Sequence, residues 1–383
     1  MNNLKVALAH DYLREYGGAE RVLEVLHEIF PDAPVYTAYV NLEAMGENGK
    51  RFKGWKIIPS WFQKFPFANK LLSPFRIFAP LMFESFDLSD YDLVISSSSA
   101  THLSKSVITK PETLHLSYIH TPPRFLYGYT TSFNYKKHWW TKVAGEIINH
   151  FMRIYDFEVS QRPDILVANS KNIQARIKKF YRRDSLVIYP PIDLAELHLK
   201  KTKDDYYLVL NRLVRGKGTE TIVEAATKLG IPLKVAGTGS ELESLKKKSG
   251  KNIQFLGWVS DEERVKLLQN AKALIVASED EDFGITSIEA QAVGTPVIAP
   301  ASGGFLETVI NAKTGILYTL TKNDTAVRDF VNGVDQNMVE SLIGALQKLD
   351  SLKFDPEDLR KNAEKFSKER FKKEILELVH SKS

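Results

Sequence analysis

Cysteine is absent from the 383 residues. That excludes disulfides, cysteine-based zinc sites and a thiol nucleophile, and it fits a reducing compartment. Long apolar runs are missing too: no stretch reaches the roughly 18 residues of a membrane span. The apolar run after Lys5 reaches His10 and Asp11 too soon for a signal-peptide core, so the expectation is a cytoplasmic protein. Charge of one sign is not in great excess. The 52 Lys and Arg against 47 Asp and Glu leave +5, which is mildly basic and gives no reason to expect a nucleic-acid partner. What is present is ordinary for a globular chain, with 43% hydrophobic and 26% charged residues and a length that suits two domains.

One local absence stands out. Arg51 to Pro80 contains no Asp or Glu, yet carries Arg51, Lys53, Lys56, Lys64, Lys70 and Arg76 among Phe52, Trp55, Trp61, Phe62, Phe65, Phe67, Phe75 and Phe78. Basic residues beside aromatics suit an anionic bilayer surface, whereas burial of the aromatics in a core would leave a plain structural element.

Elsewhere short apolar runs alternate with helical patterns. Lys5 to Ala9, Pro34 to Tyr39, Asp92 to Ser96, Leu114 to Ile119, Ile165 to Ala168 and Val187 to Tyr189 read as strands, with a helix over Gly18 to Phe30. Leu197 to Asp205 is charged and patternless and reads as a linker. The rhythm restarts with strands at Tyr207 to Leu210, Leu233 to Ala236 and Ile253 to Leu256, and helices at Thr219 to Leu229, Leu242 to Lys248 and Asp261 to Asn270. Such alternation implies parallel sheets with helices on both faces, α/β in class.

The chemistry concentrates in loops that follow strands. Gly17 and Gly18 pair at the first strand-to-helix turn, where the backbone can approach a ligand. His120 follows Leu114 to Ile119 and precedes Pro122 and Pro123, which places it at the carboxyl edge of a sheet, where open α/β sheets bind ligands. His10 is a weaker candidate, and His115 reads as a sheet residue. In the second half, Arg212 and Lys217 flank Gly216 on a strand-to-helix loop, well placed to neutralise a diphosphate. Gly237, in VAGTGS, lies in a turn that lacks the third glycine of a dinucleotide fingerprint, because Leu242 stands there.

Glu279 to Gly294, EDEDFGITSIEAQAVG, follows the apolar strand Ala273 to Ala277 and opens a helix over Ile285 to Val293. Its Phe283 and Gly284 therefore sit where unpaired N–H groups and a positive dipole end suit phosphate or sugar hydroxyls. Glu281 and Glu289, eight positions apart, add carboxylates that can accept from a diol. An acidic loop before a solvated helix would look the same. Asp280, Glu281 and Asp282 also invite a metal reading, which the cations Arg212 and Lys217 make redundant; no metal is expected.

Glu281, Phe283, Gly284 and Glu289, followed by Ala290, Gly294, Pro296 and Val297, resemble the two-glutamate signature of the retaining GT-B glycosyltransferases of family 4. NRLVRGKG at Asn211 to Gly218 resembles that family's diphosphate loop, and the likeness spans nearly the whole chain. The resemblance implies two Rossmann-like domains facing a cleft, over 1–195 and 196–365, and a last helix, 366–383, crossing back to the first. It implies an acceptor-binding first domain and a second that holds a nucleoside diphosphate sugar as donor, with no cofactor. In roles, Arg212 and Lys217 would meet the diphosphate, Glu281 and His120 the sugar, and Glu289 the ribose. Gly17, Gly18, Gly237, Phe283, Gly284 and Ile285 would line the donor site. HTPPR at His120 to Arg124 and GGAERV at Gly17 to Val22 resemble mannosyltransferases of bacterial and archaeal surface polysaccharide assembly. That makes a GDP-sugar the first expectation for the donor and a UDP-sugar the second, with a glycan or lipid-linked acceptor at the inner membrane face. A non-hydrolysing sugar-nucleotide epimerase of the same fold and a catalytically silent sugar-binding protein are the alternatives. Lys322 to Asn337 departs from the family pattern as an extra loop.

Overall fold

The computed structural model describes residues 4–72, 74–99, 103–130, 139–278, 280–319, 330–331 and 334–382. Two compact units emerge. One takes in the chain up to Tyr129, the stretch ending at Pro191 and the tail from Lys368, and the other takes in Ile192–Ser367.

In the first unit the strands are β1 (Val6–His10), β2 (Val35–Thr37), β3 (Ile57–Pro59), β4 (Leu93–Ser98), β5 (Leu114–Ile119), β6 (Ile165–Ala168) and β7 (Leu186–Val187). They run parallel in the order β3-β2-β1-β4-β5-β6-β7. Between them lie α1 (Gly18–Ile29), α2 (Ala68–Leu71), α3 (Ala79–Glu84), α4 (Trp139–Val159) and α5 (Lys171–Tyr181). Burial on both faces explains why these strands read as continuous apolar runs: every residue of β1 is buried. Helix α1 turns Val22, Leu23, Val25 and Leu26 inward, and Glu20 in its first turn accepts from the Gly17 N–H at 2.8 Å. That carboxylate supplies a partner for a donor the helix itself leaves unpaired.

The second unit repeats the scheme with β8 (Tyr207–Leu210), β9 (Leu233–Ala236), β10 (Ile253–Gly257), β11 (Ala273–Ile275), β12 (Val297–Pro300) and β13 (Gly315–Tyr318). Their order is β10-β9-β8-β11-β12-β13, again parallel. Helices α6 (Thr219–Leu229), α7 (Leu242–Lys248), α8 (Asp261–Asn270), α9 (Ile285–Ala292), α10 (Phe305–Thr308), α11 (Gln336–Leu349) and α12 (Pro356–Glu364) complete it. Strands β14 (Phe330–Val331) and β15 (Val334–Asp335) pair antiparallel inside the segment expected to be an extra loop, whose residues 322–329, 332 and 333 lie outside the described residues.

The tail, α13 (Lys368–His380), belongs to the first unit. Phe371, Ile375, Leu378 and Val379 join Leu23 and Leu26 in its core, and the Phe371 ring meets Tyr118 edge-on at 5.8 Å. The expected return of the last helix to the first domain is thus present. Phe366, expected on the same stripe, precedes the helix and packs instead in the second unit, its ring edge-on to Phe283 at 5.4 Å. The expected linker is also no loose tether. Lys203 donates from Nζ to the carbonyls of Gln269 and Val293 and to Thr295 Oγ1, at 2.9, 3.1 and 2.8 Å, which straps the segment onto the second unit.

His115 on β5 is fully buried, with Nε2 3.0 Å from Ser96 Oγ and Nδ1 without a partner. Burial, reinforced by Arg162 and Arg183, lowers its pKa to about 3. The unfolded chain therefore binds this proton between the ordinary value near 6.5 and about 3 while the folded chain does not. Stability is fully present above pH 6.5 and is lost as pH falls, by about 1.4 kcal/mol per pH unit from this residue. Urea titrations from pH 7 to pH 4 check this. Replacing His115 with Gln should flatten the profile, and an unchanged slope would show that other groups set it.

Candidate active site

In the first unit the carboxyl ends of β1, β4 and β5 lie side by side. His10 closes β1, Ser97 lies opposite it on β4, and His120 follows β5, its N–H donated to the Ser98 carbonyl at 2.9 Å. His120 is buried, and that burial lowers its pKa to about 3, with His10 acting in the same direction and Asp11 opposing. At neutral pH its ring is uncharged. Its Nε2 lies 2.9 Å from Ser97 Oγ, which lies 3.1 Å from His10 Nδ1, and His10 Nε2 lies 3.3 Å from Glu20 Oε1. The other oxygen of Glu20 holds the Gly17 N–H, so Gly17, Gly18, His10 and His120 gather at one sheet edge. Asp11 accepts from the Ser104 N–H and the Ser99 hydroxyl, each at 2.9 Å, which ties this edge to the loop after β4.

In the second unit the site is built from the loops after β8, β9 and β11. Gly218 starts α6 at φ +64, and a Cβ there would stand 2.3 Å from the Ala277 carbonyl oxygen, so only glycine lets the two loops close on each other. Lys217 lies beside it, and its Nζ donates to Glu281 Oε2 at 2.8 Å. Both side chains keep partial solvent access, so this is a site-facing pair rather than a core one. Arg212 lies exposed on the same loop as Lys217. Gly237 follows β9 and donates its N–H to the Gly257 carbonyl at 2.7 Å.

Gly284 caps α9 at φ +91, and a Cβ there would meet the Phe305 ring at 2.9 Å. The helix therefore opens on Ile285 and Thr286 with the unpaired N–H groups that attract anions. Phe283 is buried, its ring edge-on to Phe366, which turns the ring away from any ligand. Glu289 is buried on α9, and Arg264 of α8 stands with Nη1 2.7 Å from its Oε2. One carboxylate oxygen is thus already faced by a guanidinium, a partner the sequence did not point to. Arg264 also meets Asp261, three positions earlier, at 3.2 Å. Glu279 lies outside the described residues. Among the described residues no group of three or more His, Asp or Glu is gathered as a metal site.

Two parallel α/β units of this strand order define the GT-B class. The structure of Anabaena HepE in complex with UDP and glucose superposes over 99% of this chain and 100% of its own, with a TM-score of 0.69 at 17% identity. Residues 193–336 match the model of the family Glycosyl transferases group 1. An uncharacterized glycosyltransferase of Methanocaldococcus jannaschii is 27% identical over 158 residues, 40% of this chain and 45% of that protein. The alpha-1,3/1,6-mannosyltransferase ALG2 of Dictyostelium discoideum is 40% identical over 84 residues, 22% of this chain and 19% of that protein. The chain spans less than half the length of these curated relatives.

Proposed function

We propose that the chain is a retaining glycosyltransferase of family 4 that moves a hexose from a nucleoside diphosphate sugar to an alcohol acceptor without a metal. The observation that carries this is the Lys217–Glu281 pair, a cation on the loop before α6 held against a carboxylate on the loop before α9. A diphosphate drawn to Lys217, Arg212 and the α9 N-terminus would bring its sugar to Glu281, with Glu289 and its Arg264 partner turned to the ribose. The cations stabilise charge on the departing phosphate, and that phosphate takes the acceptor's proton on the same face of the sugar, so no protein nucleophile is required.

GDP-mannose is the first reading for the donor, supported by HTPPR and GGAERV and by the stretch shared with the ALG2 mannosyltransferase. A UDP-sugar is the second, favoured by the structural likeness to HepE, which was crystallised with UDP and glucose. Incubation with candidate sugar nucleotides and acceptors tests the class. A product with the donor's anomeric configuration is expected. An inverted product would overturn retention, an isomerised donor would mark an epimerase, and binding without turnover a silent protein.

The acceptor is proposed to wait at an anionic membrane. The basic stretch supports this only in its second half: Trp55 stacks on His27 at 3.7 Å, Phe52 and Phe62 are buried, and Arg76 is half-buried over the Phe125 ring. Trp61, Phe65, Phe67, Phe78 and Leu81 are exposed, Phe67 by 76%, with Lys64 and Lys70 among them. Helix α4 continues the surface, since Ile147, Phe151 and Ile154 face outward, and its Tyr155 donates to Glu84 of α3 at 2.9 Å. Each lysine near an anionic surface contributes on the order of 1 kcal/mol. Flotation with phosphatidylserine vesicles should show binding that survives moderate salt and is lost in F67A with F151A. Absence of binding at low salt would leave the acceptor soluble.

No helix among the described residues is long and apolar enough to cross a membrane.

A further inference from the structure

Three strand ends and the first turn of α1 line up four polar side chains: Glu20, His10, Ser97 and His120. All four are buried. Each contact in the row constrains the next. An ionised carboxylate only accepts, so the His10 nitrogen facing Glu20, Nε2, carries the hydrogen. The relay takes the His10 ring as neutral, with a single hydrogen for its two nitrogens. His10 Nδ1 then holds a lone pair and accepts the Ser97 hydroxyl hydrogen at 3.1 Å. With its only hydrogen engaged, Ser97 Oγ accepts from His120 Nε2 at 2.9 Å. The remaining nitrogen of the neutral His120 ring, Nδ1, is left with its lone pair.

We propose that Glu20, His10 and Ser97 are positioning residues that fix the tautomer of His120, presenting Nδ1 as an acceptor for a hydroxyl hydrogen of the bound sugar. The ligand half of this rests on the proposed transferase reading and on the role at the transferred sugar that the resemblance implies for His120. The relay half stands on the contacts that join Glu20, His10, Ser97 and His120. A ring with Nδ1–H would donate instead, and would mispair with a hydroxyl whose hydrogen points at it.

The substitution Glu20→Gln separates this from a merely structural role. The Gly17 N–H, 2.8 Å from the other oxygen, holds the amide carbonyl toward itself and turns the amide nitrogen to His10. His10 Nε2 must then accept, Nδ1 must donate to Ser97, Ser97 must donate to His120 Nε2, and the hydrogen on His120 moves to Nδ1. The experiment is 15N NMR of histidine-labelled protein at neutral pH, with His120 assigned by its loss in H120Q. A lone-pair Nδ1 on His120 in the native protein is expected, and an N–H at Nδ1 in E20Q. S97A should uncouple the two ends, so that E20Q no longer moves the His120 signals. Donor kcat/KM in E20Q should fall about 10- to 100-fold with an unchanged melting temperature. An Nδ1–H on native His120, a charged His10, or an E20Q spectrum with His120 unmoved would overturn the relay. If E20Q does not fold, the native and S97A spectra decide. A relay seen by NMR with turnover unaltered in H120Q would overturn the ligand half alone.

Discussion

Replacing Lys217 with Ala should lower turnover about 10²- to 10³-fold, the loss typical of removing one partner of a developing anion. Lys217 sits between Gly216 and Gly218 on the loop that opens α6, and its ammonium is held 2.8 Å from Glu281. Partial solvent access keeps the departure of its charge from costing much stability, since Glu281 can regain water. The melting temperature should therefore stay near that of the native chain while release of nucleoside diphosphate from the donor slows. Because the charge on the bridging oxygen grows on the way to the transition state, the loss should fall on kcat as well as on kcat/KM. Turnover equal to the native rate would remove Lys217 from the chemistry.

The largest stability effect is expected at Asp156, far in kind from the proposed chemistry. Lys105 and Asp156 form a buried ion pair at 2.6 Å, and the same carboxylate accepts from Tyr127 at 2.7 Å and Tyr181 at 3.3 Å. Burial and that carboxylate together push the Tyr181 phenol well above its ordinary value, so the hydroxyl stays a donor. Asp156→Ala would leave a buried ammonium without its counter-charge, at a cost of about 3–5 kcal/mol, a large share of the 5–15 kcal/mol that holds a typical domain together. Replacing both partners, Lys105→Met with Asp156→Leu, should recover much of this, though the two tyrosine hydroxyls would still lack their acceptor. Urea unfolding with hydrogen exchange on α4 and α5 checks both variants. A loss below about 1 kcal/mol for Asp156→Ala would mean that water reaches the pair.

The same helix shows why part of the fold escapes a reading of the sequence. In α4 the polar Asn149 and Asp156 point inward beside Met152 and Val159 while Ile147, Phe151 and Ile154 point out, so apolar residues mark both faces and their period does not single out the buried one. Strands such as Leu114–Ile119 and Tyr207–Leu210 were legible to the residue because a parallel sheet covered on both sides demands apolar runs. β3 was not: three residues ending in a proline at the sheet edge are submerged in the basic and aromatic stretch around them. At the site, Lys217 and Glu281 each announced themselves by a glycine loop, but their contact across 64 positions is a product of β8 lying beside β11. Ser97 gave no signal at all within its run of serines, since only the register of β1 against β4 sets it opposite His10.

The central claim is that the second unit binds a nucleoside diphosphate through the loops that carry Lys217 and Glu281. Calorimetric titration of GDP and of UDP into the native chain and into Lys217→Ala tests it directly. Saturable binding of one nucleotide, tighter for GDP in the first reading and weakened about tenfold or more in the variant, is the expected result. Binding of neither nucleotide, or equal binding by the two proteins, would contradict it.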